Sequence, residues 1–489
     1  NVSAIDSVIG TAGSSDAVAL LGTGAGAVSV SAIESVLGRS GETDTVTLLD
    51  GSGTVRVSLV DVAIGTTATT DVVGMLSGGA LSVSAIESVA GSATTDTVTL
   101  LDNGGITVSG VESVIGAAGG TDTLTLVGGA TVRVSALEEI VGSGSTDVVH
   151  LLAAEDVSVS GIETVVGAAG AETITLVASA ATTLAVSRVD SIIGTSNNAD
   201  TVRLLGGQAV DVSAIETVLG STAAGDNVTL LGSDETVAVS LVDLVTGTTG
   251  TADVVTMLSS GALSVSVVDS VLGSGGADTV TMIGQAAIEI SSVETLVGTS
   301  GTDTAEMISG GSVGVSAIDI VLGSTTSAEV VQMLAAGPVS VSNVDTVLGS
   351  SGTDVVTQLG GSGLAVSQVE TVVGTTGTAD TLRLVGSGTI GVSISNIGTV
   401  LGSAGATDEV VMLEAGDTVA VSQVDVVYAS TAGGDAVQML SAGALSVSNV
   451  ESIVGSTGAD TLTMLSAAGP VALSAVESVI GTGGTDSVK

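Results

Sequence analysis

Acidic side chains are the residues of this chain that could do chemistry, because they recur at fixed positions while other reactive residues are almost absent. A first acid recurs at a near-constant interval from Asp6 to Glu477, and Gly398 takes its place once. A second acid follows nine or ten positions later in every unit, as Asp in seventeen units and as Glu172 and Glu329 in two. The chain has one His and no Cys. The acids therefore offer oxygen ligands alone, and these favour hard cations, calcium above all.

The two acids belong to a repeat that fills the chain. One unit reads V-S-x-[IV]-[ED]-x-V-[IL]-G-[ST], then a short polar loop, D-x-V-x-L-L and a Gly-rich link. Ser stands three positions before the first acid in all nineteen units, and Gly stands four after it in eighteen, with Ala429 as the exception. All eight Met lie four positions after the second acid, which predicts one structural position for them. Near-identical segments at 75–89, 257–271 and 439–453 indicate a super-repeat of seven units, about 182 residues long.

The short apolar runs predict strands, because they are rich in Val, Ile and Thr and end in Gly, Ser or Thr turns. No amphipathic helical pattern of useful length occurs. We expect an all-β fold, a single right-handed parallel β-solenoid over residues 1–489 with about 19 coils of about 26 residues each. Two shorter coils per unit, each of about 13 residues, are the alternative. The first and last residues fall within the repeat pattern, so we expect the sequence to be a fragment of a longer chain.

Stacking in register would turn each repeated position into a continuous line of side chains. Like charges would then lie about 4.8 Å apart and repel one another, unless protonation, salt or bound cations offset the repulsion. The invariant Ser would form a line of hydroxyls at a buried or corner position. The first acid, where Asp and Glu interchange, is expected to form a solvated face.

Adjacent apolar residues break the simple alternation of a strand at two places in each unit. Val36–Leu37 and Leu48–Leu49 are examples. Only one member of such a pair can point inward from a flat strand. Either the chain bends and turns both inward at a corner, or the second member forms an outward apolar stripe. A stripe of that kind would predict lateral packing of solenoids.

Composition excludes several classes of function. The formal net charge of −44 repels nucleic acid and anionic membranes. No apolar run approaches the roughly 18 residues of a membrane span. The lack of Phe and Trp suits a narrow interior filled by aliphatic residues. No unit carries a cluster of reactive residues that departs from the repeat, so we expect a scaffold and not an enzyme.

Four loops resemble a known calcium-binding motif. GSGGADTVT (273–281), GSTGADTLT (455–463), GSSGTDVVT (349–357) and GAAGAETIT (167–175) resemble the nonapeptide G-G-x-G-x-D-x-U-x of repeats-in-toxin, or hemolysin-type calcium-binding, proteins. The resemblance implies Ca²⁺ between stacked turns and type I secretion of a toxin, adhesin or surface-layer protein. It implies that one Asp in each such turn is a metal ligand: Asp278, Asp303, Asp354, Asp460, Asp486, Asp96 and Asp147. The alternative is an Asp that closes its own loop by accepting backbone N–H bonds.

These observations predict an extracellular structural protein on a bacterial surface, such as part of a surface layer, a matrix filament or an adhesin stalk. It would self-associate axially, and laterally if the apolar stripe forms, and a cell-surface or glycan anchor would lie in regions outside this sequence. The alternative is a calcium-responsive secreted module whose activity lies in flanking domains. Ice binding through D-T-[VLI]-T segments, or a glycan-active β-helix, is a lesser alternative.

Overall fold

The computed structural model describes most of the chain, and the fold is described from these residues. They are residues 2–11, 13, 15–49, 54–67, 70–177, 181–196, 199–250, 252–361, 363–376, 380–466 and 469–489. The chain divides into two compact units, residues 1–244 and 245–489, and each is described by itself. Both consist of short β-strands, and the described residues contain no helix. No segment of them could therefore cross a membrane as an apolar helix.

Each repeat contributes three strands, which we name after their sequence features. The serine strand ends at the invariant Ser: β3 (Gly26–Ser31), β6 (Thr54–Ser58), β9 (Gly79–Ser84), β12 (Gly105–Ser109), β15 (Thr131–Ser135), β18 (Val157–Ser160), β21 (Thr183–Ser187), β24 (Ala209–Ser213), β27 (Thr236–Ser240), β30 (Ala262–Ser266), β33 (Ala287–Ser291), β36 (Gly311–Ser316), β39 (Pro338–Ser342), β42 (Gly363–Ser367), β45 (Thr389–Ser395), β48 (Thr418–Ser422), β51 (Ala444–Ser448) and β54 (Ala472–Ser474).

The middle strand follows the first acid and is very short. Its members are β1 (Ser7–Ile9), β4 (Ser35–Leu37), β7 (Val62–Ile64), β10 (Ser88–Ala90), β13 (Ser113–Ile115), β16 (Glu139–Val141), β19 (Thr164–Val166), β22 (Ser191–Ile193), β25 (Thr217–Leu219), β28 (Leu244–Thr246), β31 (Ser270–Leu272), β34 (Thr295–Val297), β37 (Ile320–Leu322), β40 (Thr346–Leu348), β43 (Thr371–Val373), β46 (Thr399–Leu401), β49 (Val426–Tyr428), β52 (Ser452–Val454) and β55 (Ser478–Ile480).

The aspartate strand begins at or beside the second acid. Its members are β2 (Ala17–Ala19), β5 (Asp44–Leu48), β8 (Val72–Met75), β11 (Asp96–Leu100), β14 (Thr123–Leu126), β17 (Val148–Leu151), β20 (Thr173–Leu176), β23 (Thr201–Leu204), β26 (Asn227–Leu230), β29 (Val254–Met257), β32 (Thr279–Met282), β35 (Thr304–Met307), β38 (Glu329–Met333), β41 (Val355–Gln358), β44 (Thr381–Leu384), β47 (Thr407–Met412), β50 (Ala436–Met439) and β53 (Thr461–Met464).

Strand pairing confirms a parallel β-solenoid but corrects the expectation that one repeat makes one coil. Each strand pairs in parallel with the strand two places away: β3 with β5, and β5 with β7. A turn of the solenoid therefore uses two strands, one in each of two sheets. Since a repeat supplies three strands, it makes one and a half turns. The 27 strands β1–β27 give about 13 turns, and so do the 27 strands β29–β55. The sequence period marks a repeat and not a turn, so the predicted 19 coils and the alternative of two short coils per repeat are both wrong.

This arrangement also corrects the expected continuous lines of identical side chains. Along one sheet the order is serine strand, aspartate strand, middle strand, and then a serine strand again, as in β3, β5, β7 and β9. A given strand type recurs in the same sheet only at every third layer, about 14 Å away at about 4.8 Å per layer. Acids of one column are therefore kept apart, and their mutual repulsion is much smaller than direct stacking would give.

The core is a narrow aliphatic layer between the two sheets. In one repeat Val28, Val30, Val36, Val46 and Leu48 point inward and are at most 5 % exposed. Two sheets joined by short turns leave no room for large rings, which accounts for the lack of Phe and Trp. All eight Met lie in the last inward position of an aspartate strand, at 2–8 % exposed, so the single position predicted for them is confirmed.

The invariant Gly is explained by a close backbone contact. The residue after the invariant Ser has a positive φ of 50–65° in every repeat, as in Leu59 at 56°. Its carbonyl oxygen lies against the Gly of the preceding repeat: a Cβ on Gly38 would be 2.0 Å from the Leu59 oxygen. Only Gly accepts that approach without movement. Ala429 occupies this column once and keeps the usual hydrogen bond, from its N–H to the Ser448 oxygen at 2.9 Å.

Candidate functional site: the acidic loops and the exposed apolar column

The second acid of most repeats is a buried carboxylate that closes the loop before it. From Asp44 to Asp460 these side chains are 0–1 % exposed. Asp354 is representative: its Oδ2 accepts the Ser350 N–H at 2.6 Å and the Ser350 hydroxyl at 3.0 Å. The carboxylate thus satisfies donors of a loop that would otherwise point into the protein.

The other oxygen of the same carboxylate connects two turns. Asp354 Oδ1 accepts the N–H of Gly337, which precedes the neighbouring serine strand, at 3.2 Å. The same contact joins Asp147 to the N–H of Ala130 at 2.9 Å and Asp460 to the N–H of Gly443 at 3.1 Å. Charge-assisted hydrogen bonds of this kind are stronger than neutral ones. The second acid therefore fastens its loop to the adjacent layer.

The first acid completes the arrangement from the next layer. The N–H of Asp354 donates to Glu370 Oε2 at 2.8 Å, and the N–H of Asp44 donates to Asp61 Oδ2 at 2.9 Å. Seventeen such pairs occur in the described residues. The first acid was predicted only to form a solvated face, but it is also a hydrogen-bond acceptor. We call one second acid, its loop donors and the next first acid an acid clasp.

Six of the seven residues predicted as calcium ligands are members of acid clasps, and Asp486 accepts donors of its own loop. Asp278, Asp303, Asp354, Asp460, Asp96 and Asp147 are buried, while Asp486 is half-buried and accepts the Thr482 N–H at 2.7 Å. The structure does not bring them together, since aspartate strands of successive repeats lie in opposite sheets. Within the described ranges no three Asp, Glu, His or Cys side chains are grouped for a metal. The lone pairs of these carboxylate oxygens already accept N–H donors, and a Ca²⁺ ion would need the same lone pairs. The seven Asp therefore fit a hydrogen-bonded cap better than a calcium site.

Three second acids have raised pKa values. Burial raises the pKa of Glu329, and the neighbouring Asp345 raises it further. Burial and the adjacent Asp190 likewise raise the pKa of Glu172. Burial raises the pKa of Asp408, with a smaller contribution from Asp425. In each case the perturbing neighbour is the first acid of the next repeat, so the clasp brings two carboxylates together.

A second feature, the exposed apolar column, lies on the outside of the solenoid. It consists of the residue after the last inward position of each aspartate strand, which is 37–55 % exposed: Leu21, Leu49, Leu76, Leu101, Val127, Leu152, Val177, Leu205, Leu231, Leu258, Ile283, Ile308, Leu334, Leu359, Val385, Leu413, Leu440 and Leu465. Leu48 is 5 % exposed and Leu49 is 51 % exposed, so the second member of the pair points outward. In the middle strand Leu37 is also exposed, at 48 %. The outward stripe, and not the inward corner, is the arrangement found.

The column is interrupted along each sheet. Leu49 follows β5 and Leu101 follows β11, and these strands are three layers apart in one sheet. The intervening layers carry Ile64 and Ser84, which pair with each other and are both half-buried. Each face therefore presents its most exposed apolar side chains about 14 Å apart.

The left-handed residue after the invariant Ser is a position that sequence reasoning missed. Asn343, Asn396 and Asn449, together with Gly110 and Gly161, occupy it. These residue types favour a positive φ and were the available signal. In other repeats the position holds Ala, Leu, Gln or Val, which do not indicate a positive φ.

No family model, curated protein or solved structure matches this chain. Its function must therefore be inferred from its own residues and contacts.

Proposed function

We propose that this chain is an extracellular structural protein, a non-catalytic β-solenoid scaffold that self-associates. The observation that carries the proposal is the exposed apolar column, because soluble proteins rarely repeat large exposed aliphatic side chains at one position without a partner surface. A second copy is the partner whose apolar side chains have the same spacing. We further propose a right-handed coil, since parallel crossover connections are almost always right-handed.

Charge sets the conditions for this association. Copies with a net charge of −44 repel one another. Arg39 and Asp44 form the one ion pair found among the described residues, so most surface acids lack a basic partner. Salt shortens the Debye length from about 30 Å at about 0.01 M to about 3 Å at about 1 M. Self-association should therefore strengthen with salt, whereas contacts based on ion pairs would weaken.

Sedimentation velocity of the whole chain between about 0.01 M and about 1 M NaCl tests the proposal. We expect monomers at low salt and larger species at high salt. In residues 245–489 one sheet face carries Leu258, Ile308, Leu359, Leu413 and Leu465. Changing these five to Ser should reduce association at every salt concentration. Thr→Ser changes at outward Thr256 and Thr357 form the control.

Two results would contradict the proposal. If the wild-type chain stays monomeric at high salt and high protein concentration, it does not self-associate. Equal association of the Ser variant and the control would show that the exposed apolar column is not the contact surface.

The surface-layer, filament or adhesin-stalk setting, with type I secretion and an anchor outside this sequence, is part of the proposal and derives from the resemblance of the loops. The calcium-responsive module is its alternative. Replacing NaCl by CaCl₂ at equal ionic strength in the same sedimentation experiment distinguishes the two, because the alternative requires Ca²⁺ itself and the scaffold requires only screening.

A further inference from the structure

Glu329 is a buried acid whose two carboxylate oxygens form no hydrogen bond. The side chain is 0 % exposed, and neither Oε1 nor Oε2 has a hydrogen-bond partner. Asp354, one repeat later in the same column, accepts three donors with its two oxygens. The Ser324 N–H and the Ser327 hydroxyl lie beside this carboxylate but do not reach hydrogen-bonding geometry. A bare buried carboxylate is costly unless something else pairs with it.

Other oxygen atoms surround this carboxylate. The N–H of Glu329 donates to Asp345 Oδ2 at 3.0 Å, which places the second carboxylate beside the first. The Ser327 hydroxyl also lies next to Glu329. Within the loop the Ser324 hydroxyl is 3.2 Å from the Ser327 hydroxyl and 3.0 Å from the Thr326 hydroxyl. Thr326, Ser327 and Asp345 are exposed, so a small ion can reach the carboxylate from solvent.

Glu172 provides an internal comparison because it is the other Glu in this column. Its Oε1 accepts the Ala168 N–H at 3.1 Å, so one oxygen is satisfied by the loop. The positive charge of Arg188 also acts on Glu172. At Glu329 the equivalent N–H, that of Ser324, lies nearby without forming a hydrogen bond, and no basic side chain among the described residues acts on the carboxylate. Glu172 therefore has one unpaired carboxylate oxygen and Glu329 has two.

A cation accounts for the surroundings of Glu329 better than a proton does. A proton would neutralise Glu329 but leave the charge of Asp345 beside it, whereas a hard cation can bind both carboxylates at once. Two carboxylates and a hydroxyl match the ligands and charge that Ca²⁺ prefers, with water completing the shell. We propose that Glu329, Asp345 and Ser327 form a site for one Ca²⁺ ion, separate from the seven Asp that the loop motif indicates.

Calorimetric titration of the whole chain with CaCl₂, at neutral pH and about 0.15 M NaCl, tests this site. Glu329→Asp keeps the charge and restores the side chain found in seventeen repeats, so it should fold and close its own loop. Glu172→Asp is the matched control. We expect one saturable Ca²⁺ per wild-type chain, retained in Glu172→Asp and lost in Glu329→Asp. Asp345→Asn should weaken binding at least tenfold.

Thermal unfolding supplies a second measurement. Millimolar CaCl₂ should raise the unfolding temperature of the wild type and of Glu172→Asp more than that of Glu329→Asp. Equal responses in all three would overturn the proposal, since they would reflect screening of a highly acidic chain. A wild type that binds no Ca²⁺ but differs from Glu329→Asp in its pH dependence would also overturn it, and would assign a proton to Glu329.

Discussion

Substituting one invariant Gly by Ala tests the contact that joins successive repeats. A Cβ on Gly349 would lie 1.8 Å from the Gln368 carbonyl oxygen, whereas real Cβ atoms essentially never come within 3.0 Å of another heavy atom. The contact would have to open from 1.8 Å to at least 3.0 Å, which only a shift of the backbone can achieve. Gly363 is the matched control, because nothing lies within 4 Å of its Cβ position and it has no positive φ.

The expected loss in free energy of unfolding has two sources at Gly349. Forcing a methyl group into a packed site costs about 1–3 kcal/mol. The Gly349 N–H donates to the Ser367 oxygen at 2.8 Å, and weakening that bond costs about 1 kcal/mol more. We expect Gly349→Ala to lose about 2–4 kcal/mol. Gly363→Ala should gain about 0.5–1 kcal/mol, since Ala has less conformational freedom to lose in a strand.

Hydrogen exchange is the suitable assay, because long repeat proteins need not unfold in one step. A loss of about 2–4 kcal/mol should lower amide protection around residues 347–368 by about 30- to 1000-fold, at a tenfold change per about 1.4 kcal/mol. Repeats several turns away should keep their protection. If Gly349→Ala exchanges like the wild type, or if Gly363→Ala is equally destabilised, the contact does not explain the invariant Gly.

Two other predictions concern buried polar groups. Gln358 is 3 % exposed at the aliphatic position where other repeats have Leu or Met, so Gln358→Met, which puts more apolar surface there, should stabilise the chain by about 1 kcal/mol in urea unfolding; an unchanged or lower midpoint would contradict this. Stability should also fall as pH rises toward neutrality. The folded pKa values of Glu172 and Asp408 are raised by burial, so the protonated groups stabilise fully below their unfolded pKa of about 4, and this is lost as pH rises through the folded values. Urea midpoints at mildly acidic and at neutral pH measure the slope, and Glu172→Asp should reduce it; a midpoint that rises with pH would refute the assignment.

The sequence was sufficient for the strands but not for the number of turns. Alternating Val and Thr around Asp44 specify a strand, and the common position of the eight Met specifies an inward site, since both depend on local pattern. Whether three strands make one turn or one and a half depends on which strands pair along a sheet, and those strands are distant in the sequence. The turn between the serine strand and the middle strand is equally hidden, because variable residues such as Leu59 and Ala85 occupy its left-handed position.

The candidate site was predictable only in part for a similar reason. The sequence identified both acid columns but could not show that Glu370 accepts the N–H of Asp354, because the two belong to different turns. The alternative that Asp closes its own loop describes the contacts of Asp354. The special position of Glu329 was also invisible, because Glu172 has the same side chain in the same column, and only the folded loop shows that both Glu329 oxygens lack a hydrogen bond.

The turn count has a consequence for the proposed assembly. Because a repeat makes one and a half turns, the exposed apolar column alternates between the two sheets of each unit: Leu334 follows β38 in one sheet and Leu359 follows β41 in the other. A coil of one repeat per turn would have placed every such residue on one face and favoured pairs of chains. Because both faces carry exposed apolar side chains, a chain can contact a copy on each side, which favours layers or bundles. Variants with one face changed to Ser should therefore stop at pairs, and only a change of both faces should give monomers at high salt.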